Sequence, residues 1–129
     1  MIAGVGVDLV SIGRIERAYR RRPRRFCRRL FSTAELALLM PRCPLFPAMA
    51  ARFAAKEAVL KAMGCGIGPA AWREVEIIAA RGKQPQVRLS GKAAALAARN
   101  GITGFALSMT HEPPFAGAIA VAYRRVPGK

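Results

Sequence analysis

One stretch, ARFAAKEAVLKAMG from Ala51 to Gly64, narrows the possibilities most. Its alanines, its long apolar residues and its closing glycine predict a helix from about Met49 to Met63, stopped at Gly64. A helix whose face is mostly alanine is thin, so another element can approach its backbone closely. Lys56, Glu57 and Lys61 interrupt that face. Glu57 and Lys61 stand four apart and share one side, with Phe53 one turn earlier. Two readings follow. One is a surface ion pair worth about 0.3–0.5 kcal/mol. The other is a carboxylate approached by a second element, which needs a cation or a metal because burying it bare costs several kcal/mol.

The partner for such a helix must carry small residues. Two strands do. MIAGVGVDLV alternates Val5 and Val7 with small residues and ends near Asp8. AGAIAVAY sets Ile119, Val121 and Tyr123 against alanines. A third, GFALSMTH, alternates Phe105, Leu107 and Met109 with Ala106, Ser108 and Thr110, and EPP turns between these last two. Between the first strand and the alanine-rich helix, Ser11 can cap a helix with Ile12, Ile15 and Tyr19 on one side, and Ser32 with Glu35 forms a capping box. Prolines 41, 44 and 47 predict a loop. After the helix, WREVEIIA and QVRLS read as strands, and Ser90 as the cap of a helix ending at Asn100 and Gly101. The expected order is β-α-α-α-β-β-α-β-β. It is an α+β fold, with a largely antiparallel sheet packed with helices, in a single domain over residues 1–129.

Charge supplies the next constraint. There are 22 Lys and Arg against 7 Asp and Glu, so the partner is expected to be anionic. Acids this scarce are informative, and Asp8 is the one aspartate. It reads either as a cap of the following turn or as a second carboxylate facing Glu57. Two carboxylates from separate elements, completed by substrate phosphates, are what Mg²⁺ commonly takes, and a nearby lysine suits phosphate chemistry. His111, the sole histidine, is either a solvated turn residue or a donor to a phosphate beside Ser108 and Thr110. The GCGIG run offers backbone N–H groups to an anion or simply ends the helix. Trp72 and Phe53 read as core residues before they read as a base-stacking pair. Cys27, Cys43 and Cys65 lack CxxC spacing and a local base, so they read as packing residues, with no zinc site and no secreted disulfide framework. The apolar runs are too short to cross a bilayer and no basic n-region opens the chain, so a cytosolic protein is expected. The arginines from Arg14 through RRRPRRFCRR are either a solvated face or a docking surface for an anionic macromolecule. On these residues alone, a basic nucleic-acid-binding module without enzymatic activity is the alternative to a metal-dependent phosphoryl-transfer enzyme.

In order and spacing, GVDLVSIGRIE, LFSTAEL, ARFAAKEAVLKAMGCGIG, WREVEI, GKQPQVRLSG and LSMTHE…AGAIAVA span nearly the whole chain. Together they resemble the bacterial holo-[acyl-carrier-protein] synthases, the small trimeric group of 4′-phosphopantetheinyl transferases. The resemblance implies transfer of 4′-phosphopantetheine from coenzyme A to a serine of apo-acyl carrier protein, in fatty-acid or polyketide biosynthesis. Adenosine 3′,5′-bisphosphate would be released. It implies Asp8 and Glu57 as Mg²⁺ ligands, and Asp8, Glu57 and Lys61 as the catalytic group, with Lys61 on the pyrophosphate. Arg52, Phe53, Gly64, Ser108 and His111 would join Lys61 around coenzyme A, the last two reaching it from a neighbouring subunit. Arg14, Arg17 and Arg21 would dock the acidic carrier protein. A homotrimer is implied, with no membrane or nucleic-acid partner. The chain departs from the family's usual pattern at Cys65, at Thr110 and at Leu38–Leu39, none of them a charged position.

Overall fold

The computed structural model describes residues 1–64 and 69–125, apart from the side chains of 69–71. The chain opens with β1 (Ile2–Ser11), then α1 (Ile12–Arg21), α2 (Pro23–Leu30), α3 (Thr33–Leu39) and α4 (Leu45–Ala62). A 3₁₀ turn over Pro69–Glu74 leads to β2 (Val75–Ile78) and β3 (Gln86–Leu89). Then come α5 (Gly91–Arg99), β4 (Gly104–Glu112) and β5 (Phe115–Tyr123). The α+β class stands, and both sheets are antiparallel throughout. One is three-stranded, in the order β1-β5-β4; the other is the hairpin of β2 and β3.

Four helices precede β2 where three were expected. Pro23 takes the first position of α2, where its missing N–H costs nothing, and so splits the arginine-rich run into two helices. A second difference is the start of α4. It begins at Leu45, because Pro47 falls in the first turn, whose N–H groups have no intrahelical partner anyway. Capping by Ser11 and the Ser32–Glu35 box form as expected. Ser90 does occupy the cap position of α5, but its side chain makes no capping bond. Glu74 replaces it, its Oε1 accepting from Ala93 N at 3.0 Å.

The thin helix finds its thin partner. Gly4 and Gly6 of β1 press against α4 so closely that a Cβ on either would strike the carbonyl oxygen of Ala62 or Ala58. In register beside them, β5 turns Ala116, Ala118, Ala120 and Ala122 inward, all buried. The face of α4 that meets the sheet includes Ala54, Ala55 and Ala58, each fully buried. Small residues on both sides thus bring two backbones together, and everything on that line of contact is positioned by backbone rather than by flexible side chains. The larger residues point the other way. Val5, Val7 and Leu9 of β1, with Phe115 and Ile119 of β5, form an exposed apolar outer face, Leu9 being 67% exposed.

Candidate active site

Asp8 follows Gly4 and Gly6 on the inward parity of β1, so the glycine approach delivers its carboxylate to α4. There Lys61 Nζ donates to Asp8 Oδ1 at 3.0 Å and to the carbonyl oxygen of Val7 at 3.0 Å. Glu57 lies one turn earlier on α4 and is half-buried. Burial pushes its carboxyl above the ordinary range, and the charge of Asp8 adds to the push. Lys61, and after it Trp72, pull the other way. Lys61 thus pairs with Asp8 and acts on Glu57 through charge alone, so the half-buried Glu57 is short of counter-charge.

That deficit suits a hard divalent cation. Among the described residues no cluster of three or more His, Cys, Asp and Glu forms a complete protein cage. Two carboxylates with open positions match the donor set of Mg²⁺, which keeps waters and takes phosphate oxygens to complete its shell. The residues present fit the ion.

Beside this group runs a cleft of about 630 Å³ between α1, α2 and α4. Arg14, Arg21, Arg22, Arg25 and Arg29 line it, together with Val10, Ile15, Phe26, Phe53 and Trp72. Arg17 is exposed on the same helix but does not line the cleft. Phe53 and Trp72 meet edge to face, ring centroids 5.4 Å apart, so the pair forms a wall of the cleft.

Arg52 does not reach this group. It is buried, donating to the carbonyl oxygens of Ala48 and Ala79 at 3.2 Å each. It borders a second hollow of about 230 Å³, lined also by Arg42, Arg81, Lys83, Thr110 and His111. Burial, then Arg42, works against the Arg52 charge, and Glu35 partly offsets them. An anion there would satisfy several cations at once. His111, next to last in β4, lies on the rim of this hollow. Ser108 pairs with Ile119 and so shares the outer face with Val7, opposite to Asp8. Within one chain, then, Asp8, Glu57 and Lys61 come together, while Ser108, His111 and Arg52 lie elsewhere. Gly64 ends α4 with φ of 66°, a left-handed conformation that glycine adopts without strain. The rest of the GCGIG run lies outside the described residues.

Two functional neighbours escaped the sequence reading. Glu35, assigned only to the capping box, also pairs with Lys56 at 2.8 Å, both side chains fully buried. Trp72, read as core, has a buried Nε1 without a hydrogen-bond partner among the described residues. The scarcity of acids was the signal for the first; the second had none.

Comparison with known proteins now bears on this geometry. The family model of the 4′-phosphopantetheinyl transferase superfamily matches residues 4–116. A holo-[acyl-carrier-protein] synthase of Desulforudis audaxviator is 49% identical over 122 residues, covering 95% of this chain and 93% of the relative. One from Moorella thermoacetica is 40% identical, with 90% of each covered. Among solved structures, the Neisseria meningitidis enzyme superposes with a TM-score of 0.84 at 33% identity, covering 96% of this chain and all of the other. The Helicobacter pylori enzyme, solved with coenzyme A, gives 0.79 at 30% identity, covering 92% of this chain and 99% of that one. With its own acid–lysine group lying where strand and helix backbones meet, the chain belongs to the 4′-phosphopantetheinyl transferase superfamily, among the holo-[acyl-carrier-protein] synthases.

Proposed function

We propose that this chain transfers 4′-phosphopantetheine from coenzyme A to a serine hydroxyl of apo-acyl carrier protein in the cytoplasm, with Mg²⁺ as cofactor and adenosine 3′,5′-bisphosphate as the second product. The observation that carries the reading is the meeting of Asp8, Glu57 and Lys61 on two backbones in contact. Incubation with apo-carrier protein, coenzyme A and Mg²⁺, followed by mass spectrometry of the carrier, tests it. A carrier of unchanged mass refutes the reading.

Asp8 and Glu57 would hold the ion. Bound there, Mg²⁺ supplies positive charge to the diphosphate and makes its phosphorus more electrophilic. Lys61 is 55% exposed at its side chain, so it can exchange Asp8 for a diphosphate oxygen and offset the charge that builds there. Reactions of this class depend chiefly on such placement of charge. Phe53 and Trp72 exclude water from one side of the group. The hollow of Arg42, Arg52, Arg81 and Lys83 supports a site for the remaining phosphate of coenzyme A.

That hollow and the acid–lysine group belong to one ligand only if two subunits share it. The exposed outer face of β1 and β5 is what a homotrimer would cover, and it carries Ser108 at its β4 edge. Sedimentation at micromolar concentration should give a mass three times that of the chain. A monomer would remove the shared site.

The arginines of the 630 Å³ cleft support docking of an acidic carrier. Arg14 and Arg21 are exposed, so their charge acts on encounter and falls with added salt. Reversing both to glutamate should raise the KM for carrier protein by about tenfold or more and leave that for coenzyme A nearly unchanged. Equal rises in both would show that the cleft is not the docking surface. The domain assignment over residues 1–129 belongs to the same proposal.

A further inference from the structure

We infer that Arg52 is a positioning residue, its guanidinium bracing the turn between β2 and β3 so that Arg81 and Lys83 are held in place for the remaining phosphate of coenzyme A. The inference rests on the reading of the hollow as the site of that phosphate.

Among the described residues three charged side chains are buried: Glu35, Arg52 and Lys56. All three are spent on one strand. β2 pairs with β3 and with no other strand. Val75, Ile77 and Ala79, the last just past the strand, stand at alternate positions, so their backbone groups address one edge. A charged group meets each of them. Lys56 Nζ donates to the carbonyl oxygen of Val75 at 2.6 Å, and Ile77 N donates to Glu35 Oε2 at 2.9 Å. Arg52 Nη2 donates to the carbonyl oxygen of Ala79 at 3.2 Å. Side chains of α3 and α4 thus stand where a further strand would pair, and they satisfy backbone groups that would otherwise be buried without partners.

Arg52 closes this row at the end that carries the basic turn. Ala79 is buried, and the chain then turns tightly from Ala80 to Lys83. Lys83 N donates to the carbonyl oxygen of Ala80 at 3.0 Å, and Gly82 takes a φ of 73°. The turn is exposed and supplies Arg81 and Lys83 to the hollow, while Ala48 of α4 lines it too. Arg52 ties these two linings together. Its Nη1 donates to the carbonyl oxygen of Ala48 and its Nη2 to that of Ala79, each at 3.2 Å. Both terminal nitrogens are therefore already engaged by the protein. A planar fork suits this task, because it serves two fixed acceptors at once. Neither Arg81 nor Lys83 has an acid partner among the described residues. Two cations on one short turn repel each other. Anchoring the foot of the turn at Ala79 keeps them at the hollow before any anion arrives, which lowers the ordering cost of binding.

The test compares coenzyme A with 3′-dephospho-coenzyme A as donor, two molecules that differ only in the phosphate assigned to the hollow. Arg52→Lys keeps the charge but gives up the fork. It should raise the KM for coenzyme A by about tenfold and leave that for 3′-dephospho-coenzyme A within about twofold of wild type. In a chain that also carries Arg81→Ala and Lys83→Ala, the same change should add less than about twofold, because no cation is left on the turn to place. Deuterium uptake over residues 79–85 should rise in Arg52→Lys. Arg52→Met, which fills the space without a charge, carries the same expectations should the lysine variant not fold. A KM for coenzyme A unaltered by Arg52→Lys overturns the inference, since charge alone then suffices. So does an equal rise in the chain without Arg81 and Lys83, which would make Arg52 a direct contact of the phosphate. Unaltered uptake over residues 79–85 overturns it as well. Each of these three results leaves the hollow a phosphate site. A wild-type chain that takes both donors equally well shows instead that the hollow holds no phosphate, and the inference falls with that reading.

Discussion

Glu57→Gln and Asp8→Asn should each lower transfer of phosphopantetheine to apo-carrier protein by about a thousandfold, when the initial rate is followed by mass spectrometry at saturating coenzyme A. Both changes keep shape and remove one negative charge. What they remove is the charge that would hold a divalent cation beside the diphosphate. Stability should move the other way, or not at all. Burial first, and Asp8 second, raise the Glu57 carboxyl above its ordinary range. A carboxyl whose folded pKa is raised costs stability once it ionises, above the unfolded value, and the cost is complete above the folded one. Glutamine carries no such cost at any pH. Glu57→Gln should therefore melt at or above the wild-type temperature near neutral pH while being nearly inactive. That opposition separates a functional acid from a structural one, which loses both together. Wild-type rates in both variants would dissolve the site.

How far the sequence could reach follows from where each piece of information lies. The meeting of β1 with α4 was legible because it is written locally on both partners: Gly4 and Gly6 in alternation on one, alanines on the other. The residues alone offered Asp8, Glu57 and a nearby lysine as one of two alternatives, and the resemblance chose between them. The split at Pro23 and the early start of α4 were missed for one reason. Proline was read as a breaker, whereas in a first helical turn it is a starter. Ser90 was misread because the acceptor that caps α5 comes from Glu74, on another element. Strand register is not written locally either. That Ser108 shares a face with Val7 and not with Asp8 depends on how β4 pairs with β5 and β5 with β1. Alternation in a strand gives two faces without saying which one meets the helix. The Val5–Val7–Leu9 row is exposed in the single chain, while the glycine face of the same strand meets the helix.

The Lys56–Glu35 pair hid most completely. The capping box already accounted for Glu35, and the two residues lie far apart in the chain. Replacing Lys56 by methionine should destabilise the protein by about 3–5 kcal/mol, read as a lower denaturant midpoint at unchanged slope. Methionine fills the space, so the loss is electrostatic. Glu35 would be left charged and fully buried with only the Ile77 and Ser32 N–H groups, and the carbonyl oxygens of Trp72 and Val75 would lose their donor. Burial depresses the Lys56 pKa, and Glu35 is the chief group acting in the opposite sense. The double variant Lys56→Met with Glu35→Gln tests the pairing. It removes the orphaned charge, so its loss should fall short of the sum of the single losses by about 1–3 kcal/mol. Additive losses would mean that the two act independently. The size of the single loss also matters for the site. A small domain holds only about 5–15 kcal/mol in reserve, so Lys56→Met would leave the 3₁₀ turn and Trp72 loosely held next to Glu57. Any transfer activity it keeps should then fall more steeply with temperature than that of Glu35→Gln, which retains the lysine bonds to Trp72 and Val75.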